Sequence, residues 1–273
     1  MNRTFRIFLG LALLAFITGP AFADSFTTGA PNGLMAVASR PDSGGVLEIE
    51  AADDFLLGSQ TNLLSATFTG LVPAGANVLQ VVVEIYRVFP NDSTFPPDGK
   101  VPSRMNSPSD VAFDSRSSGS GLTFTTTTLN SSFTAANSVL NGIHASPLQR
   151  TGGEGPVTGQ EVLFAVNFIN PIDLPADHYF FVPQVQLSNG DFFWLSAARP
   201  NVINPFSPDL QAWVRNGDLD PDWLRVGTDI VDGDPAPTFN MSFSIATPEP
   251  ATAVLLIVGI VGVTGLRRKT KHG

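Results

Sequence analysis

Between residues 24 and 247 no stretch of this chain keeps an apolar i, i+3, i+4, i+7 stripe over three helical turns. Short apolar runs instead alternate with clusters of Gly, Pro, Asn, Asp and Ser. That texture excludes a helical bundle and predicts an all-β domain with many short strands. Phe239 to Ile245 alternates strictly, with Phe239, Met241, Phe243 and Ile245 on one face. Leu79 to Val88 is β-branched and apolar enough to be buried on both faces over part of its length. Gly121 to Leu129 is a threonine-rich strand suited to a half-exposed sheet. Further strands are expected at Val46 to Leu57, Leu63 to Leu71, Glu161 to Ile169, His178 to Leu187 and Asp191 to Ala197.

The turns refine this picture. Ser188-Asn189-Gly190-Asp191, between two aromatic runs, predicts a hairpin. Pro183 predicts an edge strand or a bulge for the run that contains it. Ser131 to Ile143 is the sole helical candidate in the body. Phe89 to Ser109, with five prolines, and the Gly-rich Ala145 to Thr158 are expected to be loops. Together these features point to an antiparallel β-sandwich, jelly-roll-like in its irregular connections.

Both ends break the pattern. Met1 to Arg6 is basic, Ile7 to Ile17 is an apolar run, and Gly19-Pro20 leads to Ala21-Phe22-Ala23. This is the layout of a secretory signal peptide over residues 1–23, with Ala21 and Ala23 flanking the cleavage site for a signal peptidase. At the other end Pro248-Glu249-Pro250 precedes sixteen apolar or small residues, 251–266, and the bases Arg267, Arg268, Lys269 and Lys271. Such a run covers about 24 Å as a helix, enough for a transmembrane segment whose flanking bases snorkel. The basic tail stays cytoplasmic and places the body on the far side of the membrane.

Residues 248–273 resemble the PEP-CTERM sorting signal of exported bacterial proteins. The resemblance rests on Pro248-Glu249-Pro250, the short apolar helix and the terminal Arg/Lys cluster, in that order. It implies passage through the secretion translocase and recognition by a membrane-embedded exosortase that cleaves near the Pro-Glu-Pro. It also implies a final place at the surface or in the extracellular matrix of a Gram-negative-type bacterium. The middle of the chain is similar, around Val101 to Asp110 and Phe181 to Leu195, to uncharacterised proteins with such endings, a likeness that brings no activity.

Charge follows the same division. The whole chain has 15 Lys+Arg against 24 Asp+Glu, a net charge of −9. Six of the bases lie in the two ends, which leaves nine against 24 acids over residues 24–250, a net charge of −15. A body so acidic is unsuited to nucleic-acid backbones. The absence of cysteine excludes disulfides, thiolate metal sites and thiol nucleophiles.

Motifs for catalysis are missing: there is no G-x-S-x-G, H-E-x-x-H or G-x-x-x-x-G-K. His144 and His178 read as a loop residue and a strand-start residue. Glu48 and Glu50, two apart on one strand, could form the carboxyl pair of a polysaccharide-directed hydrolase, or simply a solvated face. Asp218, Asp220 and Asp222 stand at alternate positions, a spacing that could converge on Ca²⁺, although Trp223 occupies the place of the usual Gly. Trp213 and Trp223 flank that turn and are candidates to stack on an extracellular polysaccharide, whereas Trp194 reads as core. The expected function is therefore an exported, non-catalytic surface protein with a structural or binding role. A calcium-assisted carbohydrate-binding module and, behind it, a hydrolase are the alternatives.

Overall fold

The computed structural model describes residues 24–93, 99–198 and 209–247. Along the chain the strands are β1 Asp24–Thr27, β2 Pro31–Ala38, β3 Ile49–Leu57, β4 Thr61–Val72 and β5 Val78–Arg87. There follow β6 Asp114–Ser117, β7 Leu122–Ala135, β8 Asn137–Val139, β9 Val157–Leu174 and β10 Asp177–Leu187. The last are β11 Phe193–Ala197, β12 Trp213–Asn216, β13 Leu224–Arg225, β14 Asn240–Met241 and β15 Phe243–Thr247, with one π-helical turn at Val226–Val231. These strands belong to one compact unit, Ser25–Ala246; a second unit, Met1–Asp24 with Thr247–Gly273, has only Asp24 and Thr247 described. Among the described residues no helix is long and apolar enough to cross a membrane, and the expected span at 251–266 lies outside them.

The protein is all-β. Nine strands form one sheet, ordered β1-β15-β4-β11-β2-β8, with β9 and then β7 continuing from β4 and β14 joined to β11. Six strands form the other, ordered β13-β12-β3-β10-β5-β6. The long ladders β7–β9, β4–β9, β10–β5 and β10–β3 are antiparallel, while β2 and β8 run parallel.

Aromatic side chains join the sheets face to face. Phe181 of β10 lies 5.2 Å from Phe243 of β15, 6.0 Å from Trp194 of β11 and 6.2 Å from Phe68 of β4, centroid to centroid. Phe68 stacks on Phe164 of β9 at 4.9 Å. Each such pair adds about 0.5–1.5 kcal/mol to the stabilisation from burial itself. Gly70 makes room for this layer: a Cβ there would sit 2.2 Å from the Phe192 ring.

The six-stranded sheet is buried on its outer side as well, which the β10 sequence explains. Phe181 and Val185 point into the main core, whereas Phe180 and Val182 join Ala52, Tyr86, Leu210, Trp213 and Trp223 in a second cluster. Leu210 and Trp223, which lie outside the strands, pack over this face.

Several expectations change. Ser188–Asp191 does not close a hairpin: β10 belongs to the six-stranded sheet and β11 to the nine-stranded one, so the turn carries the chain between layers. β10 is interior, between β3 and β5, so Pro183 marks no edge strand, whereas the run does carry a register irregularity, between Gln186 and Leu187. Its ladder with β3 ends at Phe181, and beyond it the Pro183 carbonyl accepts from Ser39 Oγ at 2.6 Å, so the missing N–H costs no ladder bond. Ser131 to Ile143 is not helical. β7 continues through it to Ala135, and β8 pairs with Met35–Val37 of β2. The alternating run at the C-terminal end divides at Ser242, where β14 pairs with β11 and β15 with β4.

Candidate functional site

The outer face of the six-stranded sheet holds a carboxyl cluster. Residues 50, 52 and 54 of β3 share this face because strand neighbours alternate, and Arg215 on β12 stands in register with Glu50. Arg215 Nε donates to Glu50 Oε2, and its Nη2 donates to the Tyr86 hydroxyl at 3.0 Å. Tyr86 Oη is 2.7 Å from Glu50 Oε1 and 2.9 Å from Glu84 Oε2. A phenol has one proton to donate, so both contacts are hydrogen bonds only if one carboxyl group carries a proton of its own. Burial supplies the reason. Glu50 is 3 % exposed, and desolvation, only partly offset by Arg215, pushes its carboxyl up to about 7. Burial likewise pushes the Tyr86 phenol well up, which keeps it protonated. Trp223 closes the site, with the Arg215 guanidinium 4.4 Å from its ring centroid.

Glu48, expected as the partner of Glu50, turns instead to Gln184, whose Nε2 donates to it at 2.7 Å. Burial also raises its carboxyl. The paired chemistry of this face therefore belongs to Glu50, Glu84, Tyr86 and Arg215. Of these the sequence pointed to Glu50 as one of a carboxyl pair and to Arg215 only as a base near Trp213 and Trp223. The missed signal was a charge inside a run, Ile49 to Phe55, that is buried on both faces.

The Asp-rich turn is not arranged around a cation. Asp222 is buried and its Oδ1 lies 3.0 Å from Arg104 Nε. Asp220 pairs with Arg215 Nη1 at 2.6 Å. Asp218 is exposed, and its carbonyl accepts from Lys100 at 3.3 Å. Two arginines thus draw the carboxylates apart, and among the described residues no group of three or more His, Asp or Glu is placed to hold a metal ion. The tryptophan candidates are corrected as well. Trp213 is 2 % exposed and Trp223 fully buried, so neither presents a ring face to a sugar. Trp194 is core, its Nε1 donating to the Ser242 carbonyl at 2.9 Å. His144 is an exposed loop residue, and His178 sits at the start of β10 with Nε2 2.6 Å from Asp54 Oδ2. The sorting residues Pro248, Glu249, Pro250, Arg267 and Arg268, and the cleavage residues Ala21 and Ala23, lie outside the described residues.

An open cleft of about 400 Å³ lies where β10 leaves its sheet. Arg40 and Asp191, ion-paired to each other, form one part of it. Ser43, Asn141, Gln186, Ser188 and Asn189 add hydroxyls and amides, and Val46, Leu140 and Leu187 add apolar surface. The wall at residues 140–142 is held by Glu154, whose Oε1 accepts the backbone N–H of Leu140 and of Gly142, each at 2.8 Å. Asp191 is the only carboxylate in the lining.

No family model, curated protein or solved structure matches this chain.

Proposed function

We propose that the chain is an exported protein of the cell surface or extracellular matrix, tethered by residues 251–266 until an exosortase acts near Pro248-Glu249-Pro250. Its body, read as a jelly-roll-like β-sandwich, has a structural or binding role without catalysis. The observation that carries this reading is the order of parts: signal peptide, acidic cysteine-free body, Pro-Glu-Pro, apolar run, basic tail. Two prolines around Glu249 disfavour helix and hold the segment extended, the form in which a protease takes a peptide. The buried acids support the non-catalytic part, since Glu50, Asp222 and Asp229 are each held by an arginine. The full chain is to be expressed in a host that carries an exosortase. Glu249→Ala is expected to leave a cell-bound precursor that keeps its tail, whereas the parent chain is processed; processing of the variant at the parent rate would overturn the sorting reading.

A carbohydrate-binding role is the second reading, and the cleft favours it. Its one ion pair is self-neutralising and the remaining polar groups are hydroxyls and amides beside apolar side chains, a lining that suits a neutral polyhydroxyl ligand. Titration of soluble neutral oligosaccharides, followed by calorimetry, is expected to show binding that Asn189→Ala weakens by roughly tenfold, the loss of one or two hydrogen bonds. Binding indifferent to Asn189→Ala and Asn141→Ala removes the cleft from consideration.

A further inference from the structure

Among the described residues the nine-stranded sheet ends in β7, which is laddered only to β9. β7 contains no charged residue, no proline and no glycine. From Thr125 to Ser132 every residue is exposed, so this stretch overhangs the stacked sheets with both faces in solvent. An open edge offers unpaired N–H and C=O groups to any passing strand, and proteins ordinarily guard such edges with lysine, proline or a cover. Leu122–Thr128 has no lysine or proline and, among the described residues, no strand laddered over it; the irregularities in β7 come later, between Thr128 and Asn130 and between Asn130 and Phe133.

The ladder shows which groups are open. Ile169 N–H donates to the Gly121 carbonyl at 3.0 Å, and the register continues with Leu122 opposite Phe168. Bonds to β9 therefore fall at the odd positions Thr123, Thr125 and Thr127. Phe124, Thr126 and Thr128 turn their backbone groups outward.

We infer that this edge is an interaction surface for a second copy of the same chain, added as an antiparallel strand about a two-fold axis at Thr126. That register places Thr126 opposite its own counterpart and Phe124 opposite Thr128 of the second copy, which engages the outward positions 124, 126 and 128, while Leu122 falls opposite Asn130 beyond the irregularity. Threonine then faces threonine across much of the seam, a favourable cross-strand pairing. A two-fold contact needs a surface that complements itself. Elsewhere the body, residues 24–247 with nine Lys+Arg against 23 Asp+Glu and a net charge of −14, brings acids together when copies meet, whereas this strip is neutral and its pattern of donors and acceptors is its own complement.

The absence of native cysteine allows a direct test in the full chain, in detergent micelles under mild oxidation. Hydrogen-bonded antiparallel partners have Cα atoms about 5.5 Å apart, within the range a disulfide spans. Thr126→Cys is expected to form a covalent dimer roughly tenfold faster than Ser131→Cys, whose counterpart lies at the far end of the seam. Equal rates at the two positions would overturn the pairing. In sedimentation velocity, Thr126→Pro is expected to lose reversible dimerisation and keep its circular dichroism, because it removes an outward N–H and no bond to β9. A dimer that persists in Thr126→Pro would remove this edge as the contact.

Discussion

Arg104→Ala is expected to lower the unfolding free energy by roughly 3–5 kcal/mol, the range for breaking a buried ion pair from one side. Arg104 is 2 % exposed and lies in the proline-rich stretch that carries no regular strand. Its guanidinium pairs with Asp110, reaches Asp222 and rests 4.3 Å from the centroid of the Phe89 ring. One side chain thus ties the long loop to the turn that ends at Trp223. Without it the buried Asp222 and the half-buried Asp110 lose their shared guanidinium, and the ring loses its cation. Arg104→Lys should recover little, since a single ammonium lacks the fork that serves two carboxylates at once. Replacing the pair together, Arg104→Met with Asp222→Leu, should cost less than Arg104→Ala alone, because Asp110 is then the one carboxylate left without its guanidinium instead of two. Urea unfolding followed by tryptophan fluorescence measures all three, and Trp194, Trp213 and Trp223 are buried reporters. A loss below about 1 kcal/mol for Arg104→Ala would place this pair with surface bridges.

Strand existence was legible because it is local. The alternation at Phe239 to Ile245 and the apolar run at Leu79 to Val88 depend on neighbours one and two residues away, and both became strands. Pairing is non-local and was not legible. Ser188–Asp191 has the residues of a tight turn, but a turn between layers needs the same residues as a hairpin, and only the partners of β10 and β11 tell them apart. Ser131 to Ile143 lost its helical reading to tertiary context, since β9 and β2 supply ladders on which β7 and β8 form. The candidate site divides in the same way. Alternating aspartates at 218, 220 and 222 invite a cation when read alone; their partners are Arg215 and, from a distant loop, Arg104. Glu50 was visible as a charge, while Tyr86 and Arg215 come from strands that only the fold brings beside it.

Glu50 should make stability fall as pH rises through neutrality. Its carboxyl is raised in the folded state to about 7, above its ordinary value of 4.5, so the folded protein binds the proton more tightly than the unfolded chain does. The stability linked to that proton is fully present below about 4.5 and is lost as pH rises through about 7. A shift of this size corresponds to roughly 3 kcal/mol. Glu50→Gln keeps the shape and removes the titration, so its unfolding midpoint should be flatter across this window than that of the parent chain. Arg215→Met supplies the opposite arm. At pH 8 it removes the guanidinium that eases ionisation of Glu50, so the buried carboxyl either carries an unpartnered charge or holds its proton against the solvent, and the variant is expected to lose more stability than at pH 5. At pH 5 Glu50 is neutral and the cost should shrink toward the packing that Met restores over Trp223 and Tyr86. Urea midpoints at the two pH values separate electrostatics from packing. An Arg215→Met penalty equal at pH 5 and pH 8 would mean that Glu50 does not hold its proton, and the two short contacts of the Tyr86 hydroxyl would then need another donor.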